Sequence, residues 1–264
     1  MQLQLLFWMC LLTVYSIIAT AVTQSIEFPE WDWGDELTTA IGVAIGVLLV
    51  FRNRSAYDRW WEARTLWGKL INDSRNLAVK TAAFAEIEPN DRQAFAELLI
   101  AFPHALRMHL RGQREPMPNV AALYPEFDEA QHRPAFISLQ IFKLMNKWNR
   151  GNKLFTSIRI LERHGNGLLD VCGACERIRN TPMVSSYLYI TWCSVILYCL
   201  AAPWPMGVNF GWYALPIVLL SNGFLLAMEV VAETIEEPFG TEQDDLPLER
   251  YCSSIESFVR DTLA

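Results

Sequence analysis

Residues 37–76 read LTTAIGVAIGVLLVFRNRSAYDRWWEARTLWGKLINDSRN, an apolar run that passes into a charged, tryptophan-rich segment with no turn signal at the join. As a helix, the run from Leu37 to Phe51 would extend about 22 Å, short of the roughly 30 Å of a hydrocarbon core. It is therefore expected to be an inner helix that does not face lipid along its whole length. Gly42, Ala44 and Gly46 lie among β-branched residues, a pattern that lets helices approach closely in a membrane bundle. Counting back from Phe51 by fours gives Val47 and Val43, a bulky apolar stripe on one helical face.

Working outward, the 264-residue chain is 52% hydrophobic, and three more apolar runs flank the first: Leu5 to Val22, Tyr187 to Val208 and Trp212 to Met228. This distribution indicates a polytopic membrane protein. No alternating strand pattern is present, so the fold class is expected to be all-α. The net charge is −7 and no basic stripe occurs, which argues against a nucleic-acid partner. Ala19-Thr20-Ala21 near the end of the first run suits a signal-peptidase site, but no Lys or Arg precedes it, so an uncleaved span is expected.

Charge sets the topology. Neither Gln24 to Glu36 nor Pro203 to Gly211 holds a Lys or Arg; of the 22 basic residues, all but Arg250 and Arg260 lie between Arg52 and Arg179. By the positive-inside rule both termini and the middle region are cytoplasmic. Trp31, Trp33, Trp204 and Trp212 then fall at the outer interface as an aromatic belt.

The middle region is helical in period. Trp60, Leu66, Trp67, Leu70 and Leu77 recur at threes and fours, as do Phe95, Leu98, Leu99, Phe102 and Leu106. Pro89-Asn90-Asp91 ends one helix and starts another, with Asn90 the expected cap. Gly112 to Pro134 is expected to be a connecting loop with one short helix at residues 126–131. The chain divides into 1–51, 52–183, 184–235 and 236–264.

Candidate chemistry is sparse. Arg52, Tyr57, Asp58, Arg59, Glu62 and Arg64 lie within about four turns, at spacings that suit helical ion pairs. No nucleophile and base stand together, so a structural role is expected and no enzyme. Cys172-Gly-Ala-Cys175 is a CxxC, but no second CxxC and no βαβ pattern accompany it. Packed thiols are expected, with redox exchange as the alternative. His104, His109, His132 and His164 show no ligand spacing, so no metal is expected. Asn222 and Glu229 are polar groups that a membrane tolerates only against protein or water. Glu229, expected to share a face with Glu233, either lines an aqueous route or bonds to the cytoplasmic charged cluster.

The stretch FRNRSAYDRWWE at residues 51–62 and the segment EEPFGTEQDDLPLERYC at residues 236–252 both resemble the bestrophin family. The resemblance implies a homopentameric ion channel with four membrane helices per subunit, a helical cytoplasmic domain, and the second helix lining the pore. Aligned with the family's neck, Val43, Val47 and Phe51 would form three stacked apolar rings, which gate by dewetting. Family geometry also implies a cytoplasmic aperture near Ile158 and Leu161. Arg52, Tyr57, Arg59, Trp60, Glu62, Pro238, Phe239 and Gly240 would be the structural residues of the motif. Eukaryotic members bind calcium after the last membrane helix through amide side chains, where this chain has Thr234 and Glu237. Calcium is thus not expected at the Glu237–Asp245 segment, nor any other cofactor.

Family members divide between anion and cation selectivity. Glu27, Glu30, Asp32, Asp35 and Glu36 give five acids and no base per subunit at the outer mouth, which would concentrate cations within a Debye length of about 8 Å. A channel for monovalent cations in a bacterial inner membrane is therefore expected, with chloride as the alternative ion. A non-conducting membrane scaffold is the reading from another class. The expected partners are further copies of the chain and lipid.

Overall fold

The computed structural model describes residues 2–26, 34–84, 87–151 and 155–263, and the side chains of 6–26, 36–83, 87–148 and 159–263. The described residues form helices joined by turns and short loops, with no strand among them. Helices α1 (Gln2–Ser25), α2 (Gly34–Phe84), α3 (Pro89–Arg111), α4 (Pro118–Leu123) and α5 (Arg133–Gly151) make the first half of the chain. Helices α6 (Phe155–Asn180), α7 (Ser185–Ala201), α8 (Pro203–Phe210), α9 (Ala214–Glu236) and α10 (Leu248–Leu263) make the second. The apolar run and the charged segment after it form one uninterrupted helix, α2, because no glycine pair or proline breaks it.

The chain divides into two compact units. The first takes Met1–Trp60 and Pro182–Glu236; the second takes Trp61–Thr181 and Glu237–Ala264. The first boundary therefore falls nine residues beyond the expected 51. Arg52 and Ala56 are still fully buried in the first unit, so its packing continues past the end of the apolar run.

In the first unit, Leu12 of α1, Ile45 and Leu49 of α2, Val195 and Cys199 of α7, and Leu225 and Leu226 of α9 make one apolar core. Among the described residues, three stretches are long and apolar enough to cross a membrane: Leu6–Ser25, Glu36–Ala83 and Ser185–Glu236. The span expected from Tyr187 to Val208 is not one helix. It breaks after Ala201, because Pro203 has no N–H to give the preceding turn and suits the start of a new helix, α8. Helix α8 is tied to α1: the Trp204 indole donates to the Tyr15 hydroxyl at 2.9 Å, and the Gln24 amide donates to the Gly207 carbonyl at 2.9 Å.

In the second unit, α3 packs against α5 and α10, and α5 packs against α6. Trp67, Leu70 and Leu77 from the rear of α2 are fully buried, as are Phe95, Leu98, Leu99, Phe102 and Leu106 from α3. Two local expectations change. Helix α3 begins at Pro89 with Glu88 as its cap, so Asn90 lies inside the first turn. The short elements of the 112–134 connection are α4 and a 3-10 turn at Pro125–Phe127, each opened by a proline, in place of a helix at 126–131.

Candidate functional site

The membrane half of α2 has two unlike faces. Thr38, Ile45, Leu49, Arg52 and Ala56 turn inward at spacings of threes, fours and sevens. Val43, Val47 and Phe51 are 63%, 52% and 60% exposed, and Val50 is exposed beside them. At about 100° per residue, Val43 and Val47 project roughly opposite the inward stripe, and Phe51 about a third of a turn from it. Among the described residues, this apolar face is left largely uncovered. Of the small residues in the run, Gly42 is the one used for close approach inside the chain. A Cβ there would lie 3.1 Å from the Tyr198 hydroxyl, whereas one at Gly46 would meet nothing within 4 Å.

Immediately after Phe51, the helix buries a cation. Arg52 is 1% exposed. Its Nη2 donates to Glu236 Oε2 at 2.7 Å, its Nη1 donates to Met183 Sδ at 2.8 Å, and its Nε lies 3.6 Å from Glu229 Oε1. Glu236 also accepts from the Met183 N–H at 3.2 Å, while its backbone carbonyl accepts from Arg59 Nε at 3.3 Å. Glu229 therefore faces the charged cluster as an ion-pair partner of Arg52, with no hydrogen bond to it. Glu233 is exposed, so it does not share the face of Glu229. The buried polar stripe of α9 instead runs at sevens through Asn222, Glu229 and Glu236, with Asn222 Nδ2 donating to the Cys199 carbonyl at 3.3 Å. The spacing is readable in the sequence, with Glu236 also standing at the head of the acidic C-terminal segment.

The remaining motif residues make their contacts within their own units. Tyr57 is half exposed and stacks on Trp60 at 6.3 Å. Glu62 accepts from Arg177 of α6 at 2.5 Å. Arg111 of α3 grips the Pro-Phe-Gly turn by donating to the carbonyls of Phe239 at 3.0 Å and Gly240 at 2.8 Å, and it also pairs with Glu249. That pairing holds the Glu249 carboxyl below its ordinary pKa despite partial burial. The Pro238 carbonyl closes the turn by accepting from Leu246 N–H at 3.0 Å. A Cβ at Gly240 would lie 2.5 Å from Asp245 Oδ2, so a side chain there would have to displace the Asp245 carboxylate. Asp245 Oδ2 is itself occupied, accepting from the Glu242 N–H at 2.6 Å.

Other expected positions fall elsewhere. Leu161 is 2% exposed and turned into its own chain, while its neighbours Ile160 and Glu162 are exposed. The side chain of Ile158 lies outside the described residues, as do Glu27, Glu30, Asp32 and the side chain of Asp35. Glu36 is exposed. Cys172 and Cys175 are buried, and burial pushes the Cys172 thiol up to about 12 and the Cys175 thiol higher still. Both are held as thiols, which removes the chemical basis for redox exchange.

One cluster joins residues that the sequence left scattered. His109 of α3 and His132 before α5 each place Nε2 against Glu176 Oε1 of α6, at 2.6 and 2.7 Å. It is the one group among the described residues whose ligand-type atoms lie within 4.8 Å of one another. His132 Nδ1 accepts from the Ala135 N–H at 3.0 Å, capping α5. Its proton is thereby fixed on Nε2, pointing at Glu176, so the atoms fit a hydrogen-bonded staple better than metal ligation. Burial raises the Glu176 pKa, but the two histidine hydrogen bonds outweigh it and hold the carboxyl below its ordinary value.

Comparison with known proteins gives the relationship. The family model described as Bacterial/Fungal Bestrophin protein matches residues 2–261. A voltage-dependent anion channel-forming protein of Ralstonia nicotianae is 33% identical over 231 residues, covering 84% of this chain and 75% of that one. Another of that description, from Salmonella typhi, is 37% identical over 230 residues, covering 82% and 72%. The crystal structure of a bacterial bestrophin homologue from Klebsiella pneumoniae superposes with a TM-score of 0.86 at 25% identity, covering 98% of each chain. The Ralstonia and Salmonella relatives are named for channel formation. The chain belongs to the bacterial and fungal bestrophin family.

Proposed function

We propose that the protein is an ion channel of the bacterial inner membrane, assembled from several copies of the chain, with the outward face of α2 as its neck. The observation that carries this reading is the exposure of Val43, Val47 and Phe51 on a helix whose opposite face is packed. An apolar face left bare by its own chain requires lipid or further copies of the chain against it. In a ring of copies it forms a narrow apolar throat that empties of water when closed. A homopentamer follows from the family resemblance. Four passes follow if Ser185–Glu236 crosses twice, once through α7 and once through α9, and the basic residues then place both termini in the cytoplasm. The acidic segment from Glu237 to Asp245 serves as a packed turn that works without calcium.

Selectivity for anions is the better reading. The Ralstonia and Salmonella relatives are both named anion channel-forming proteins, and the expectation of cations rested on outer acids of which only Glu36 has a described side chain. The lack of any base between Gln24 and Glu36 supports cations as the second reading. Reversal potentials across a planar bilayer in asymmetric NaCl separate the two. A potential near the chloride equilibrium value supports anions, and one near the sodium value restores cations.

A further inference from the structure

Along the membrane half of α2, the contacts with the rest of its unit are of two kinds. Ile45 and Leu49 meet Val195, Leu225 and Leu226 through apolar surface. Such contact keeps this face inward but has no preferred direction atom by atom, so it does not by itself fix a small rotation of the helix about its own axis. Arg52 does not tolerate it. Its guanidinium reaches Glu236, Met183 and Glu229 in a site closed to solvent, and charge-assisted hydrogen bonds are both strong and directional. Phe51 and Arg52 are neighbours about 100° apart around the helix. Any rotation large enough to turn Phe51 inward must pull the guanidinium out of its contacts. One further fixed point is uncharged: the Tyr187 hydroxyl donates to the Leu48 carbonyl at 3.2 Å.

We propose that Arg52 is the positioning residue of the neck. Through the α9 carboxylates and the Met183 sulfur it sets the rotation of α2, so that Val43, Val47 and Phe51 stay turned away from their own chain. This rests on the neck reading above. The two carboxylates contribute unequally. Glu236 accepts from both Arg52 and the Met183 backbone, whereas neither oxygen of Glu229 has a hydrogen-bond donor among the described residues and its nearest charged contact is 3.6 Å away. Glu236 is the main partner and Glu229 the lesser one.

Single-channel recording of the reconstituted full-length protein tests this, with Phe51→Ala as reference. Arg52→Met alone strands two buried carboxylates and is prone to misfold, so the decisive variant is Arg52→Met with Glu229→Gln and Glu236→Gln, which leaves no unpaired charge in the site. It should change open probability or unit conductance by about fivefold or more, the lower end of ordinary coupling between a remote group and a functional site. Glu236→Gln should have a smaller effect, and Glu229→Gln the smallest. The charge-swapped pair Arg52→Glu with Glu236→Arg should return the channel towards wild type. A purely structural role lowers the melting temperature and leaves the conductance and open probability of assembled channels unchanged. If the triple variant behaves as wild type while Phe51→Ala does not, the positioning role is wrong and the neck stands. If Phe51→Ala is also silent, the neck reading fails and the proposal with it.

Discussion

The two halves of α2 obey the same inward period and differ in what they leave outside. From Ala63 through Trp67, Leu70, Ser74 and Leu77, the rear half buries its inner face completely and exposes charged groups such as Glu62 and Lys69. The front half buries Ile45 and Leu49 as fully, yet exposes Val43, Val47, Val50 and Phe51. Apart from Trp61 and Val79, which lie far apart along it, the rear half exposes polar groups and alanines. The front half is satisfied by one chain on one side only. A change on the inner stripe should therefore register as lost stability, and a change on the front outer face as altered conduction.

The largest effect that would sharpen this contrast is at Trp67. Trp67→Ala empties a fully buried position and should cost about 3–5 kcal/mol of stability, read as a lowered unfolding transition of the detergent-solubilised protein. Phe51→Ala should stay within about 0.5 kcal/mol of wild type by the same measurement, as surface changes do, while raising the current. Equal stability losses at both positions would break the contrast. Next in size is Gly240→Ala, which forces a Cβ into the Asp245 carboxylate and should cost about 1–3 kcal/mol.

Glu176→Gln should have a smaller effect that depends on pH. The Glu176 carboxyl is held below its ordinary pKa in the folded protein. Its contribution is thus fully present above the unfolded value of about 4.3 and is lost as pH falls through the lower folded value. The stability gap between wild type and Glu176→Gln should be present above about pH 5 and close as the pH falls below about 4. A gap that persists undiminished at about pH 3 would contradict the staple. The smallest effect expected is none: Cys172 and Cys175 should resist alkylation in the folded protein at pH 8, because burial keeps both thiols protonated.

Local patterns were legible where one helix carried the whole signal. The Val43, Val47, Phe51 stripe is a period-four reading, and the burial of Trp67, Leu70 and Leu77 follows from the same arithmetic. What escaped were contacts between residues distant in sequence. Arg52 and Glu229 were each visible as polar groups in apolar surroundings, but their junction at Glu236 lies 184 residues from Arg52. His109, His132 and Glu176 come together only through the packing of α3, α5 and α6. Leu161 was placed by family geometry with an uncertain register, and one residue of rotation decides whether a helical side chain faces out or in. The break at Pro203 was written in the sequence and was overridden by the length of the apolar run.

The most direct test is to place a cysteine on each face of the front half and challenge open channels with a charged, water-soluble methanethiosulfonate, taking wild type with its six native cysteines as the baseline. The account predicts that Val43→Cys and Val47→Cys lose or change their current irreversibly, while Ile45→Cys and Leu49→Cys behave as wild type. Current that is indifferent to modification at Val47 but sensitive at Ile45 would contradict it.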